Sequence, residues 1–139
     1  MKVSLLYDPY KKNIATVIHE KTSPTDKLVV FDPDDWGGEV LFRSERNGLC
    51  VFSLENPPGV FTAKGLSVLL NNEADLTRLK SLGYNKLVLL SESPVRHAVQ
   101  AANPNSQKVR RHYPDTISST VDSWPVIYRS EDLIITEIP

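Results

Sequence analysis

The chain of 139 residues has little cysteine and no excess of charge of either sign. Its single cysteine, Cys50, excludes an internal disulfide framework and any zinc or iron–sulfur site built from several cysteines. Sixteen lysines and arginines stand against seventeen aspartates and glutamates, which gives a formal net charge of -1. Because no overall basic field is available to hold a polyanion, we expect no nucleic-acid partner.

Long apolar runs and phosphate-binding motifs are also missing. A membrane-spanning helix needs about 20 mostly apolar residues, whereas the longest uninterrupted apolar runs, such as Leu28–Phe31 and Leu87–Leu90, have four. The first residues do not have the pattern of a signal peptide. The chain is therefore expected to be cytosolic or a piece of a longer exported or membrane-anchored polypeptide. The sequence contains neither Gly-x-Gly-x-x-Gly nor Gly-x-x-x-x-Gly-Lys-Ser/Thr, the usual phosphate-binding motifs. Its histidines do not have the spacing of metal ligands. We therefore predict no metal site and no cofactor.

What the sequence does contain is the composition of one ordinary globular domain. Hydrophobic residues make up 40% and charged residues 24%, which excludes disordered, collagen-like and coiled-coil classes. The length suffices for a hydrophobic core, so residues 1–139 are predicted to form a single α/β domain.

Apolar strands alternate with helices along the chain. Asp8–Pro9 predicts the start of an amphipathic helix. Further helices are predicted over 39–46, closed by Asn47–Gly48, over the leucine-rich segment that ends at Gly83, and from Ser93–Pro94 through Ala102. The predicted strands are Lys27–Phe31, Leu49–Ser53, Lys86–Leu90 and a terminal hairpin of Pro125–Arg129 with Leu133–Ile138. This order predicts a three-layer fold: a mostly parallel sheet, helices on both faces and a C-terminal β-hairpin.

The segment after the first predicted strand is the main candidate site, because ligands of parallel α/β sheets bind beyond the carboxyl ends of the strands. It contains Asp32, Asp34, Asp35 and Trp36, followed by two glycines. One interpretation is a sugar or metal site, with carboxylates that bind hydroxyl groups and an indole that offers a flat apolar face. The other is a helix N-terminus capped by Asp34 or Asp35.

A further interpretation of the same residues is catalytic. The string Leu-Val-Val-Phe-Asp-Pro-Asp-Asp over 28–35 resembles the first motif of the haloacid dehalogenase superfamily. This resemblance implies a small magnesium-dependent phosphatase or hydrolase, with Asp32 as nucleophile and Asp34 as general acid. Asp35 occupies a position where that motif has threonine or valine. The acidic pair after residue 91, Glu131–Asp132, lies inside the turn of the predicted hairpin and does not complete a metal site. A separate hypothesis, for the whole chain, is an interaction module that dimerises through the edge of the terminal hairpin.

A longer pattern covers residues 13–54 and continues to about residue 92. An amphipathic helix and an apolar strand are followed by Asp35–Trp36, by Arg46-Asn47-Gly48 in an Arg-x-Gly arrangement, and by Leu82-Gly83-Tyr84 before another strand. The pattern resembles the soluble C-terminal domain of polytopic membrane glycosyltransferases of the protein-mannosyltransferase and aminoarabinose-transferase-like kind.

That resemblance implies a non-catalytic accessory domain, because the catalytic acid and the lipid-sugar pocket of such enzymes belong to their membrane-embedded part. The domain would lie on the extracytoplasmic, periplasmic side of a membrane. Its partners would be the transmembrane part of the same polypeptide and a sugar or glycan acceptor. Under this hypothesis the ligand-binding residues are Asp34, Asp35, Trp36 and Arg46.

Overall fold

The computed structural model describes residues 9–33, 37–52, 62–91, 117 and 120–139. These residues form an open, mixed sheet of five strands with four helices, which confirms the predicted α/β class. The helices are α1 (Pro9–Lys21), α2 (Gly37–Ser44), α3 (Ala63–Leu70) and α4 (Glu73–Ser81), and the strands are β1 (Lys27–Phe31), β2 (Asn47–Val51), β3 (Lys86–Leu90), β4 (Val126–Arg129) and β5 (Leu133–Glu137). The helix predicted after Ser93–Pro94 lies outside the described residues.

The sheet has the strand order β2-β1-β3-β5-β4. β1 pairs in parallel with both β2 and β3, whereas β5 pairs antiparallel with both β3 and β4. The prediction of a mostly parallel sheet therefore holds for β1 to β3 only. The predicted C-terminal hairpin corresponds to β4 and β5, which need only a short turn between them because they run antiparallel.

The central strands are apolar along their whole length because both of their faces are covered. Successive side chains of a strand point to opposite faces of the sheet. Leu28 and Val30 of β1 pack in one apolar cluster with residues of α1 and α2. Val29 and Phe31 pack in a second cluster with residues of α3 and α4. The sheet is thus held between helices whose apolar sides face it.

The end of α2 differs from its prediction. Asn47–Gly48 does not close the helix but begins β2. The left-handed residue is Glu45, with φ 58°. Its N–H donates to the Phe42 carbonyl at 3.2 Å, and the Arg46 N–H donates to the Leu41 carbonyl at 3.1 Å. These two bonds define a Schellman motif, in which glycine is the usual left-handed residue.

Both ends of α4 follow from local sequence. The side chain of Asn72 accepts a hydrogen bond from the Asp75 N–H and caps the first turn. Gly83 has a φ of 97°, a left-handed conformation that glycine adopts without steric cost. The prediction that Gly83 ends this helix is therefore confirmed.

A buried polar network ties together the amino ends of β1 and β3. The carboxylate of Asp26 accepts hydrogen bonds from the Ser23 N–H and from Asn85 Nδ2, both at 2.7 Å, and lies 3.4 Å from Lys86 Nζ. The Asn85 side chain in turn accepts from the Lys27 N–H at 2.9 Å. Burial alone would raise the pKa of Asp26, but the Ser23, Asn85 and Lys86 contacts together lower that pKa below its ordinary value of 3.8.

This network predicts how stability depends on pH. A carboxylate whose pKa is lowered by folding stabilises the fold above its unfolded pKa, and that contribution disappears as the pH falls through the lower folded pKa. We therefore expect wild type to be more stable than Asp26→Asn at neutral pH, and the difference to shrink from about pH 4 downward. Urea denaturation of both proteins across this range measures it. Asp122→Asn, at an exposed position, controls for the lost charge, and a pH-independent difference would contradict the expectation.

Candidate functional site

The carboxyl end of β1 is occupied by a buried ion pair. Asp32 follows the strand directly, and its Oδ1 accepts a hydrogen bond from Lys11 Nζ at 2.8 Å. The exposed fraction is 0% for Asp32 and 1% for Lys11. Lys11 belongs to α1, so the pair fastens this helix to the end of a central strand. Burying a charge costs free energy, and the attraction between the two opposite charges of the pair offsets this cost.

A lysine of an amphipathic helix is expected on its polar side, but Lys11 of α1 is buried. Lys11 lies on the same buried stripe of α1 as Ile14, Ala15 and Ile18. The spacing of three, four and seven residues from Lys11 is that of a single helix face. A lysine spaced as part of an apolar helix face was therefore the sequence signal that could have identified Lys11 as buried.

The burial of Asp32 bears on the haloacid dehalogenase hypothesis. A carboxylate nucleophile has to reach the reacting atom of its substrate. Asp32 has no exposed surface, and one of its oxygens binds a buried ammonium group. This geometry argues against Asp32 as a nucleophile.

Cys50 lies beside this ion pair without the features of a reactive thiol. It is the residue of β2 that pairs with Val30, and a side chain on Gly37 would come within 3.4 Å of its Sγ. Burial, followed by the nearby charge of Asp32, raises the pKa of the Cys50 thiol. Reactive cysteines have a lowered pKa. Within the part of the chain that the structure describes, no three His, Cys, Asp or Glu side chains are placed to hold a metal ion.

The carboxyl end of β3, next to that of β1, is covered by the terminal hairpin. Ser91 follows β3, and its N–H donates to the Asp132 carbonyl at 2.9 Å. Its hydroxyl donates to the Glu131 carbonyl at 3.1 Å. The turn between β4 and β5 is thereby fixed over this strand end. Both of the central parallel strands therefore end in contacts that hold the fold together.

The four predicted ligand-binding residues divide between two places. Asp34, Asp35 and Trp36 lie outside the described residues. Arg46 directly precedes β2, whose first residue pairs with the first residue of β1. Asp32 follows the last residue of β1, and five residues of strand extend over about 17 Å. The structure thus places Arg46 at the amino end of the sheet and Asp32, which leads into the predicted turn, at the carboxyl end.

Arg46 binds the end of α1. Its Nη2 donates to the carbonyls of His19 and Thr22, both at 2.9 Å, and its Nε donates to Thr22 Oγ1 at 2.9 Å. Its Nη1 donates to the Glu45 carbonyl at 3.1 Å. The last carbonyls of a helix have no partner within the helix, and a cation there also interacts favourably with the helix dipole. Arg46 therefore joins the C-terminal end of α1 to that of α2.

No family model, no curated protein and no solved structure matches the chain. None of the described helices combines the length and the apolarity needed to cross a membrane. Function is therefore inferred from the geometry of the described residues together with the resemblance carried by residues 13–54.

Proposed function

We propose that the chain is a non-catalytic accessory domain of a membrane glycosyltransferase-like protein. The resemblance carried by residues 13–54 supports the link to such a protein, and the buried ion pair of Asp32 and Lys11 at the carboxyl end of β1 supports the absence of catalysis there. A domain that performed chemistry at this strand end would keep its carboxylate within reach of a substrate. Here the carboxylate is buried against Lys11 and holds α1 on the sheet, which supports a binding role over a catalytic one at this strand end.

The domain would lie on the periplasmic side of the membrane, with the transmembrane part of the same polypeptide as its partner. It would help to bind a sugar or glycan acceptor. Asp34, Asp35 and Trp36 remain the proposed contacts between β1 and α2, since carboxylates accept hydrogen bonds from sugar hydroxyls and an indole covers an apolar ring face. Arg46 would act indirectly, by holding α1 against the end of α2.

The experiment follows the native polypeptide with an antiserum raised against the 139-residue chain. We expect a band far above 15.6 kDa in the membrane fraction of cells that express the protein natively, retained after an alkaline carbonate wash. Protease added to spheroplasts should remove the epitope, because the domain would face outward. A species of the size of this chain, found in the soluble fraction alone, would contradict the proposal.

A further inference from the structure

An aromatic ring is exposed on the outer side of α2. Phe42 has an exposed fraction of 83%, the largest among the exposed large hydrophobic residues of the described chain. Its neighbours Val40 and Leu41 are buried against the sheet. Burying a phenylalanine side chain stabilises a fold by about 1.5–3 kcal/mol, and the fold of this chain does not use that contribution.

The ring borders a shallow cavity of about 430 Å³ that is open to solvent, between the outer sides of α1 and α2. We call it the Phe42 cavity, and the described residues that line it are Lys12, Thr16, Phe42, Arg43 and Glu45. They combine one flat apolar surface with two cationic donors, one carboxylate acceptor and one hydroxyl group.

Two of these polar groups have their geometry restricted by neighbours. The Nε of Arg43 donates to Glu39 Oε1 at 2.8 Å, one turn earlier in α2. The hydroxyl of Thr16 donates to the Lys12 carbonyl at 3.1 Å, so its oxygen is available as an acceptor. Groups held in place before a ligand arrives lose less conformational entropy when it binds.

Glu45 is held in a conformation that its side chain makes unfavourable. Its φ of 58° lies in the left-handed region, at the position of a Schellman motif where glycine is usual. Strained residues of this kind cluster at ligand sites. The Glu45 side chain lines the Phe42 cavity. Glutamate at this position therefore supplies a hydrogen-bond acceptor that glycine would lack.

The chemistry of the cavity favours a small neutral ligand. Among the described residues the charges around the cavity are of both signs, since Lys12 and Arg43 are cationic and Glu45 and Glu39 are anionic. This mixture favours a neutral ligand over an ion. The volume of about 430 Å³ falls in the range of small-molecule sites. A ring with an apolar C–H face and several hydroxyl groups satisfies the aromatic surface, the donors and the acceptors together.

We infer that the Phe42 cavity binds a neutral saccharide. The Phe42 ring contacts the C–H face of the sugar, Arg43 and Lys12 donate to its oxygens, and Glu45 accepts from its hydroxyls. The inference rests on the proposed function, in which the domain helps to bind a glycan acceptor, and adds a site on α1 and α2.

The test is saturation-transfer NMR on the full chain with maltose, cellobiose and mannobiose as separate probes at millimolar concentration. At least one disaccharide should bind, with Phe42→Ala weakening it by about tenfold or more and Phe42→Tyr retaining it. Glu45→Gly should raise the thermal midpoint by removing the strain, yet weaken binding. Val68→Ala is the matched control, because Val68 is exposed on α3, on the opposite side of the sheet.

Three outcomes would overturn the inference. One is that no disaccharide binds, and another is that Phe42→Ala binds as well as wild type while the double variant Asp34→Asn/Asp35→Asn does not. The third is sedimentation with phosphatidylcholine–phosphatidylglycerol vesicles that is lost in Phe42→Ala, which would identify a lipid contact instead. None of them decides the proposed function, which is judged separately by where the native polypeptide is found.

Discussion

Replacing Gly48 with alanine is expected to lower the free energy of unfolding by about 3 kcal/mol or more. A Cβ atom on Gly48 would overlap the carbonyl oxygen of Leu28 and lie 2.8 Å from Leu41 Cδ2. Leu28 is the residue of β1 that pairs with Gly48. β1 cannot withdraw, because it is hydrogen-bonded to β3 on its other side. Urea denaturation followed by circular dichroism measures the loss.

Gly38→Ala is the matched control for this change. Among the described residues, a Cβ atom on Gly38 would meet Cys50 Sγ alone, at 3.8 Å, which is ordinary van der Waals contact. Gly38 lies in the first turn of α2, where alanine is favoured over glycine by up to about 1 kcal/mol. We therefore expect Gly38→Ala to be at least as stable as wild type. A Gly48→Ala protein of wild-type stability would contradict the close approach of β1 and β2.

Replacing Lys11 with methionine is expected to lower the free energy of unfolding by about 3–5 kcal/mol. Methionine retains most of the apolar stem of lysine but removes the ammonium group. Asp32 would then remain as a buried carboxylate without the cation that lies 2.8 Å from it. Such a charge is costly unless it is paired, since desolvation penalises the ionised form.

The neighbouring Lys12→Met is the control, because Lys12 is exposed on the same helix and its loss should cost no more than about 0.5 kcal/mol. In the double variant Lys11→Met/Asp32→Asn neither member of the ion pair carries a charge. Its destabilisation should therefore be smaller than the sum for Lys11→Met and Asp32→Asn, by about 1–3 kcal/mol. Equal effects of Lys11→Met and Lys12→Met would contradict the ion pair.

The elements that sequence predicted well are those whose signals are local. β1 and β3 are continuous apolar runs, as expected for strands covered on both faces. α4 has its cap in Asn72 and its stop in Gly83. The position of β5 beside β3 has no local signal, because any apolar strand could pair there. The mixed character of the sheet therefore had to come from the structure.

Two residues show why local patterns fail at the ends of elements. Asn47–Gly48 has the composition of a helix cap, yet Gly48 is required by the close approach of β1, which the sequence of α2 cannot reveal. Glu45 takes the left-handed position instead. A pattern that names the right residue type can thus assign it the wrong physical role.

The predicted site shows the same limit for charged residues. Lysine is ordinarily exposed, and the burial of Lys11 depends on an aspartate 21 positions later in the chain. Arg46 was predicted to bind a ligand, and in the structure its guanidinium donates to the carbonyls of His19 and Thr22 at the end of α1. Both assignments depend on partners that come together only in the folded chain.

The most direct test of a structural ion pair at the end of β1 is to measure stability and hydrolysis on the same preparations of wild type and Asp32→Asn. Hydrolysis of para-nitrophenyl phosphate is followed with magnesium present, and the free energy of unfolding is measured by urea denaturation. The structure predicts that Asp32→Asn is less stable and that neither protein turns over the ester. Turnover by wild type that is lost in an equally stable Asp32→Asn protein would contradict it.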